Sequence, residues 1–272
     1  MAASSPSFWV SSISRITPED IYIRGYPMQE IIGRLSYPAI SFLLVRGCIP
    51  TPGEARMMDV ILSSILDYAL QKSGTVAARA IVSVNPQMTA GLSAAMLGAG
   101  PYAVSPEDAG RFITEGVAKW RASGLGMEEH AETLVAELRA AKRRIPGFGH
   151  QVFRGVDPRA EKLKNFAQAQ GVWGEANEWY AAVHEAFRKA TGKHDLVMND
   201  VGMLAGIMGQ MGFTPAEMTG LALQSTFPGV IAHISEELQS GVINRIVPDS
   251  IAEYDATQRS LDEDLAAAGW PA

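Results

Sequence analysis

Residues 144–163 read RIPGFGHQVFRGVDPRAEKL. Pro146 bars a helix from running through this stretch, and Gly147 and Gly149 free the backbone on either side of Phe148. Such a turn can present bare amides to a ligand, with the ring of Phe148 offering a flat face to an aromatic group. His150 follows at once and is the best-placed acid–base candidate in the chain. Lys142, Arg143, Arg144, Arg154, Arg159, Lys162 and Lys164 stand around it, against Asp157 and Glu161. That local excess of cations suits a ligand carrying several phosphates, or a carboxylate held in an arginine fork. A solvated connection between two helices is the competing reading, because glycine-rich loops are common. DPRAEKLKNF (157–166) then reads as a new helix opened by Asp157 and Pro158.

The cationic loop is set in an acidic chain of 272 residues with a formal net charge of −6, which argues against a general nucleic-acid or anionic-membrane binder. Apolar residues make up 47% and charged residues 19%, the balance of a globular chain with a real buried core. No apolar run approaches the ~18 residues of a membrane span. The opening MAASSPSFWV lacks the basic and apolar regions of a secretory leader, and Cys48 is the single cysteine, so a reducing cytoplasm is expected.

Four segments share one helix-start pattern: TPED at Thr17, TPGE at Thr51, SPED at Ser105 and TPAE at Thr214. Each offers a hydroxyl cap, a proline in the first turn and an acid three residues on, which predicts a helix start at all four. MMDVILSSILDYAL (57–70) and MEEHAETLVAELRAAKRR (127–144) carry apolar residues at three- and four-residue spacing, as amphipathic helices do. Strand-like alternation is confined to WVSSISRI and IYIRGY, where a short hairpin is expected. The predicted architecture is therefore all-α, apart from that N-terminal hairpin.

Two tracts, Gly91–Gly100 and Gly202–Gly212, place several glycines at helical intervals, which is read as close helix–helix approach. His130, His184 and His194 lie among charged residues and are expected at the surface, and His233 is read as a packing histidine. No two histidines have the spacing of a metal pair, so no metal is expected.

The loop resembles the PGxGH turn, trailing basic residue and DPR of the citrate synthase superfamily. IYIRGYPMQEIIGRLSYPAISFLLVRGCIPTPGEA (21–55), LVMNDVGMLAGIMGQMGF (196–213) and FPGVIAHISEEL (227–238) resemble further segments of that family in the same order. In size and style the chain is most similar to the compact citryl-CoA lyases, which resemble the C-terminal module of ATP-citrate lyase. The resemblance implies a large helical domain from 1–104 and 223–272, a small one from 105–222, and an intertwined homodimer or higher homo-oligomer. It implies coenzyme A, bound as a thioester, with the nucleotide end wrapped by Arg144, Pro146, Gly147, Phe148 and Gly149. The second ligand would be a small carboxylic or oxo acid, held by Arg154 with Arg159 and Asn199.

The family makes or breaks a carbon–carbon bond beside the thioester carbonyl, using a carboxylate on the acetyl carbon and two histidines on oxygens. His150 matches one histidine. Pro101 stands where the other is expected, with Tyr102, a hydroxyl donor, beside it. The family's Asn-Val-Asp appears as Asn199, Asp200 and Val201, so the carboxylate has moved one place, about 100° around a helical turn. Thr226 and Gln151 replace expected arginines. The implied catalytic set is therefore His150, Asp200 and Tyr102. A citryl-CoA lyase-like cleavage to acetyl-CoA and an oxo acid is expected. A condensing or retro-Claisen enzyme for a different, less charged acyl substrate and a non-catalytic coenzyme A-binding homologue are the alternatives.

Overall fold

The computed structural model describes residues 8–100 and 102–271. The expected hairpin is present as β1 (Ser14–Ile16) and β2 (Ile21–Ile23), antiparallel with Ser14 opposite Ile23, and β3 (Tyr26–Pro27) adds a third strand. The rest is helical: α1 (Met28–Ile31), α2 (Tyr37–Arg46), α3 (Pro52–Leu62), α4 (Ser73–Val84), α5 (Met88–Leu97), α6 (Glu107–Ser123) and α7 (Met127–Ala140). There follow α8 (Pro158–Ala169), α9 (Glu175–Thr191), α10 (Asp200–Gln210), α11 (Pro215–Ser240) and α12 (Leu261–Ala267). None of these helices is long and apolar enough to cross a membrane.

Two of the four expected helix starts form full capping boxes, Thr51 with Glu54 and Thr214 with Glu217. At Ser105 the helix starts as expected to within a residue, with Pro106 at the cap and the serine hydroxyl shared between the Glu107 amide (3.4 Å) and Thr219 on α11 (3.0 Å). At Thr17 there is no helix. The hydroxyl accepts from the amides of Glu19 and Asp20 and closes the β1–β2 turn, a local bonding pattern that competes with helix. The segment 57–70 is helical only to Leu62. Beyond it the chain turns through two left-handed residues, Leu66 (φ 61°) and Ala69 (φ 68°), which pairwise spacing does not reveal.

The core is organised on α10, in which Gly202 to Met208 are all buried. Its glycines let α9 approach: a Cβ on Gly202 would lie 2.8 Å from the Tyr180 hydroxyl, and one on Gly206 2.8 Å from Asn177 Nδ2. Met57, Met58 and Ile61 of α3, Ile113 of α6, Leu163 of α8, Trp179 and Val183 of α9 and Met218 of α11 complete the cluster. A smaller cluster gathers Tyr68, Ala78, Val82, Ala95, Val230 and Ile234, from the 63–72 segment, α4, α5 and the far half of α11. Gly91 belongs to the same economy of space, since a Cβ there would lie 2.7 Å from both Ile234 and Val82.

α11 serves both clusters and runs through Pro228, which has no amide to donate. The next amide, of Gly229, turns outward to Leu66 O at 2.9 Å and ties the irregular 63–72 segment to the helix.

Candidate functional site

The loop is built by pairing it with the approach to α10. Gly147 and Gly149 take φ of 81° and 88°, the left-handed region that favours glycine. Gly149 N donates to Val197 O (2.8 Å) and Asn199 N to Gly147 O (2.9 Å), which sets Phe148 opposite Met198. Asn199 does two jobs with one side chain. Its Oδ1 caps α10 through Gly202 N (3.0 Å), and its Nδ2 donates to Gly149 O (2.9 Å). Tyr180 OH donates to Pro146 O from below, and burial raises the phenol's pKa, so it stays a donor.

Two expectations are corrected here. The Gly149 amide is not bare, being used on Val197. Phe148 does not offer a free face, because its ring is turned inward against Tyr180 (centroids 5.1 Å), His184 (4.8 Å) and Phe187 (6.1 Å). His184 is accordingly no surface residue. Its Nε2 lies 3.0 Å from Leu196 O, and burial pushes its pKa down, so the ring is neutral. Helical position on a charged stretch hid it, since α9 turns that one face inward. His130 is half-buried, accepting from Trp179 Nε1 at 3.3 Å, whereas His194 is exposed as expected.

His150 Nδ1 accepts from the amides of Val152 and Phe153, both at 3.1 Å. An accepting Nδ1 puts the ring proton on Nε2, which is then the donor atom of the ring. Its ring stacks on Phe153 (4.6 Å, 28°), and the guanidinium of Arg159 lies 5.4 Å from the Phe153 centroid. Arg159 then spends all three nitrogens on carboxylates. Nε and Nη2 reach Asp157 (3.1 and 2.8 Å), and Nη1 reaches Asp200 Oδ2 (2.8 Å). Arg154 folds Nη1 back onto the carbonyls of His150 (2.7 Å) and Phe153 (2.8 Å).

The two carboxylates are tuned apart. Burial pushes Asp157 up, but the bonds and charge of Arg159 outweigh it and hold the group below the ordinary range. Burial also pushes Asp200 up, and there Arg159 only partly opposes it, so the group stays above that range. Asp157 also caps α8 through the Arg159 amide at 3.0 Å. Sequence reading saw Asp157 only as a cap and passed over Phe153. Their signal was spacing, each lying within three residues of a partner in the stack.

Asn199 and Asp200 open onto different cavities. One, of about 350 Å³, is lined by Arg144, Pro146, Gly147, Asn199, Asp108 and Tyr102. The other, of about 280 Å³, is lined chiefly by Val60, Ser64, Leu163 and Phe166, and closed by Arg159 and Asp200. The Tyr102 side chain is fully exposed at the rim of the first, and Pro101 lies outside the described residues. Thr226 is buried with its hydroxyl bonded to Leu223 O (2.7 Å) of its own helix. Among the described residues no group of three or more His, Cys, Asp or Glu side chains gathers as metal ligands do.

The helical fold agrees with the comparison to known proteins. Residues 49–247 match the family described as "Citrate synthase, C-terminal domain". The chain belongs to the citrate synthase family. Its fold is the all-α citrate synthase-like one, with the small three-stranded sheet added at the N-terminus. This citrate synthase-family chain is 28% identical over 201 residues to citrate synthase 2 of Bacillus subtilis, covering 73% of this chain and 50% of that one. It spans about half the length of the curated relatives it matches. Citryl-CoA lyase from Hydrogenobacter thermophilus superposes with a TM-score of 0.86 at 31% identity, covering 96% of this chain and 100% of that one. ATP citrate lyase from Methanothrix soehngenii, solved with citrate and coenzyme A, superposes at 0.76 and 20% identity over 96% of this chain and 43% of that one, a likeness of fold.

Proposed function

We propose that this protein is a coenzyme A-thioester carbon–carbon lyase of the citryl-CoA lyase type, releasing acetyl-CoA and an oxo acid. The observation that carries the reading is the end-to-end superposition on citryl-CoA lyase at 31% identity. The match covers 96% of this chain and 100% of that one.

In this reading the bond beside the thioester's α-carbon breaks. The substrate hydroxyl oxygen becomes the carbonyl of the oxo acid and loses its proton, and the α-carbon takes a proton to become the acetyl methyl. His150 holds that oxygen through Nε2–H while the hydroxyl proton passes to water, and protonated Asp200 delivers the α-carbon proton and is reprotonated from solvent. A raised pKa suits a carboxyl that must hold the proton before giving it. Tyr102 donates to the enolate oxygen from the rim of its cavity. Arg144 and the backbone of Pro146 to Gly149 take the nucleotide end. Arg154 takes a carboxylate of the acid partner, with the Asn199 side chain already spent on Gly149 and Gly202. Arg159, expected beside them, has its fork filled by Asp157 and Asp200 and acts by placing Asp200.

We further assign residues 105–222 to a small domain and 1–104 with 223–272 to a large one. A homo-oligomer is the matching assembly: Val76, Val84, Leu97, Ile243 and Ile246 are exposed, and the 243–246 segment is held on α4 by Asn244 N and Arg245 N at Ser83. The exposed lone thiol of Cys48 suits a reducing cytoplasm.

The test is acetyl-CoA incubated with the protein in deuterated water. Exchange of the methyl protons that is lost in Asp200→Asn supports the reading. The ion pair on Asp200 favours a second reading, a non-catalytic coenzyme A binder, for which coenzyme A raises Tm while the methyl group never exchanges.

A further inference from the structure

The cavity of about 280 Å³ between α3, α8 and the start of α10 is open but has almost nothing polar left to offer. Ser64 Oγ donates to Ile61 O at 2.8 Å. Every nitrogen of Arg159 donates to Asp157 or Asp200. What remains of the wall is the carbon of Val60, Leu163 and Phe166, with Lys162, an exposed residue whose charge water screens. Arg159 keeps N–H groups on its two terminal nitrogens, but its single charge is already outnumbered by Asp157 and Asp200, and an anion entering here would meet Asp200 at short range. The volume is at the low end of small-molecule sites, which begin near 300 Å³.

Resting on the lyase reading above, we propose that this cavity holds an uncharged, chiefly apolar side group on the oxo-acid fragment. The resident carboxylate of Asp200 occupies the place at Arg159 that a second substrate carboxylate would take. The acid partner is thus a 2-oxo monocarboxylate with a short hydrocarbon side chain, its single carboxylate left to Arg154. Discrimination arises from an occupied fork together with an apolar wall, and both are needed. The wall alone would only weaken a charged ligand, and the filled fork alone would leave side-chain length without effect.

Calorimetric titration of the full chain, saturated with coenzyme A, tests this with pyruvate, 2-oxobutyrate, 2-oxovalerate and oxaloacetate. Affinity should rise about fourfold for each added methylene, the transfer value for burying one CH₂. Oxaloacetate should bind at least tenfold more weakly than 2-oxobutyrate. Val60→Phe, which fills the cavity, should flatten the length dependence while coenzyme A affinity stays within twofold. Oxaloacetate binding as tightly as 2-oxobutyrate overturns the pocket, as does a length dependence that persists in Val60→Phe. Coenzyme A binding with no oxo acid bound overturns the pocket and leaves the coenzyme reading standing. Failure to bind coenzyme A overturns the lyase reading, and the pocket with it.

Discussion

Arg159 Nη1 and Asp200 Oδ2 meet at 2.8 Å, joining the first turn of α8 to the first residue of α10. Because Arg159 also lies over Phe153, on which His150 stacks, the same ion pair links the proposed base to the proposed histidine. Neither residue is placed by its own helix alone.

Asp200→Asn should reduce acetyl-CoA methyl exchange by about 10²–10⁴-fold, the usual worth of a placed acid or base. Exchange in the wild type requires ionised Asp200, so its rate should fall as pH drops through a value above the ~3.9 of a free aspartate. Arg159→Gln removes the cation that opposes burial and should move this limb to still higher pH. In stability terms, a carboxyl that binds its proton more tightly folded than unfolded contributes at low pH and loses that contribution as pH rises through the folded value. A limb unmoved in Arg159→Gln would show that the pair does not govern the base.

Alanine at the two loop glycines should separate strain from collision. Gly149→Ala meets nothing closer than Leu196 Cδ1 at 3.7 Å and should cost about 1–2 kcal/mol, the left-handed penalty alone. Gly147→Ala adds a Cβ 2.6 Å from Gly202 Cα and should cost about 3 kcal/mol or more. Urea unfolding midpoints check the order, and equal losses would mean that the loop and α10 separate more easily than their hydrogen bonds indicate.

Tyr102→Phe should leave Tm unchanged, because the exposed ring packs on nothing, yet slow methyl exchange at least tenfold. An unchanged exchange rate removes the phenol from the site.

Glu237 is buried on α11 between two guanidinium groups, Arg79 Nε at 2.8 Å and Arg245, whose own amide is pinned 3.0 Å from Ser83. Glu237→Gln removes the buried charge that both guanidinium groups share, leaving Arg79 with Glu236 and Arg245 half-exposed, and should cost about 1–3 kcal/mol. Limited proteolysis should then cut after Gly241 sooner than in the wild type. If unfolding and proteolysis both match the wild type, the pair does not secure the C-terminal segment.

Local chemistry accounts for what could be read in advance. A hydroxyl, a proline and an acid at fixed offsets cap a helix wherever nothing else claims the hydroxyl, and so Thr51 and Thr214 behaved as expected. Thr17 did not, because a strand turn took its oxygen, whereas at Ser105 the helix starts as expected but with the hydroxyl shared between a long bond from the Glu107 amide and a facing threonine on α11. The glycine spacing of α10, the helix start at Asp157, the hairpin and the family itself were legible for the same reason, each being written within a few adjacent residues.

The site was not local in that sense. Which way Phe148 turns depends on Tyr180 and His184, more than thirty residues on, and whether Arg159 is free for a ligand depends on Asp200. Sequence alone determined the helices, the turn and the residue types available for chemistry. Tertiary packing decided which of them are spent on one another, because burial and pairing are properties of neighbours that the chain brings together only when folded.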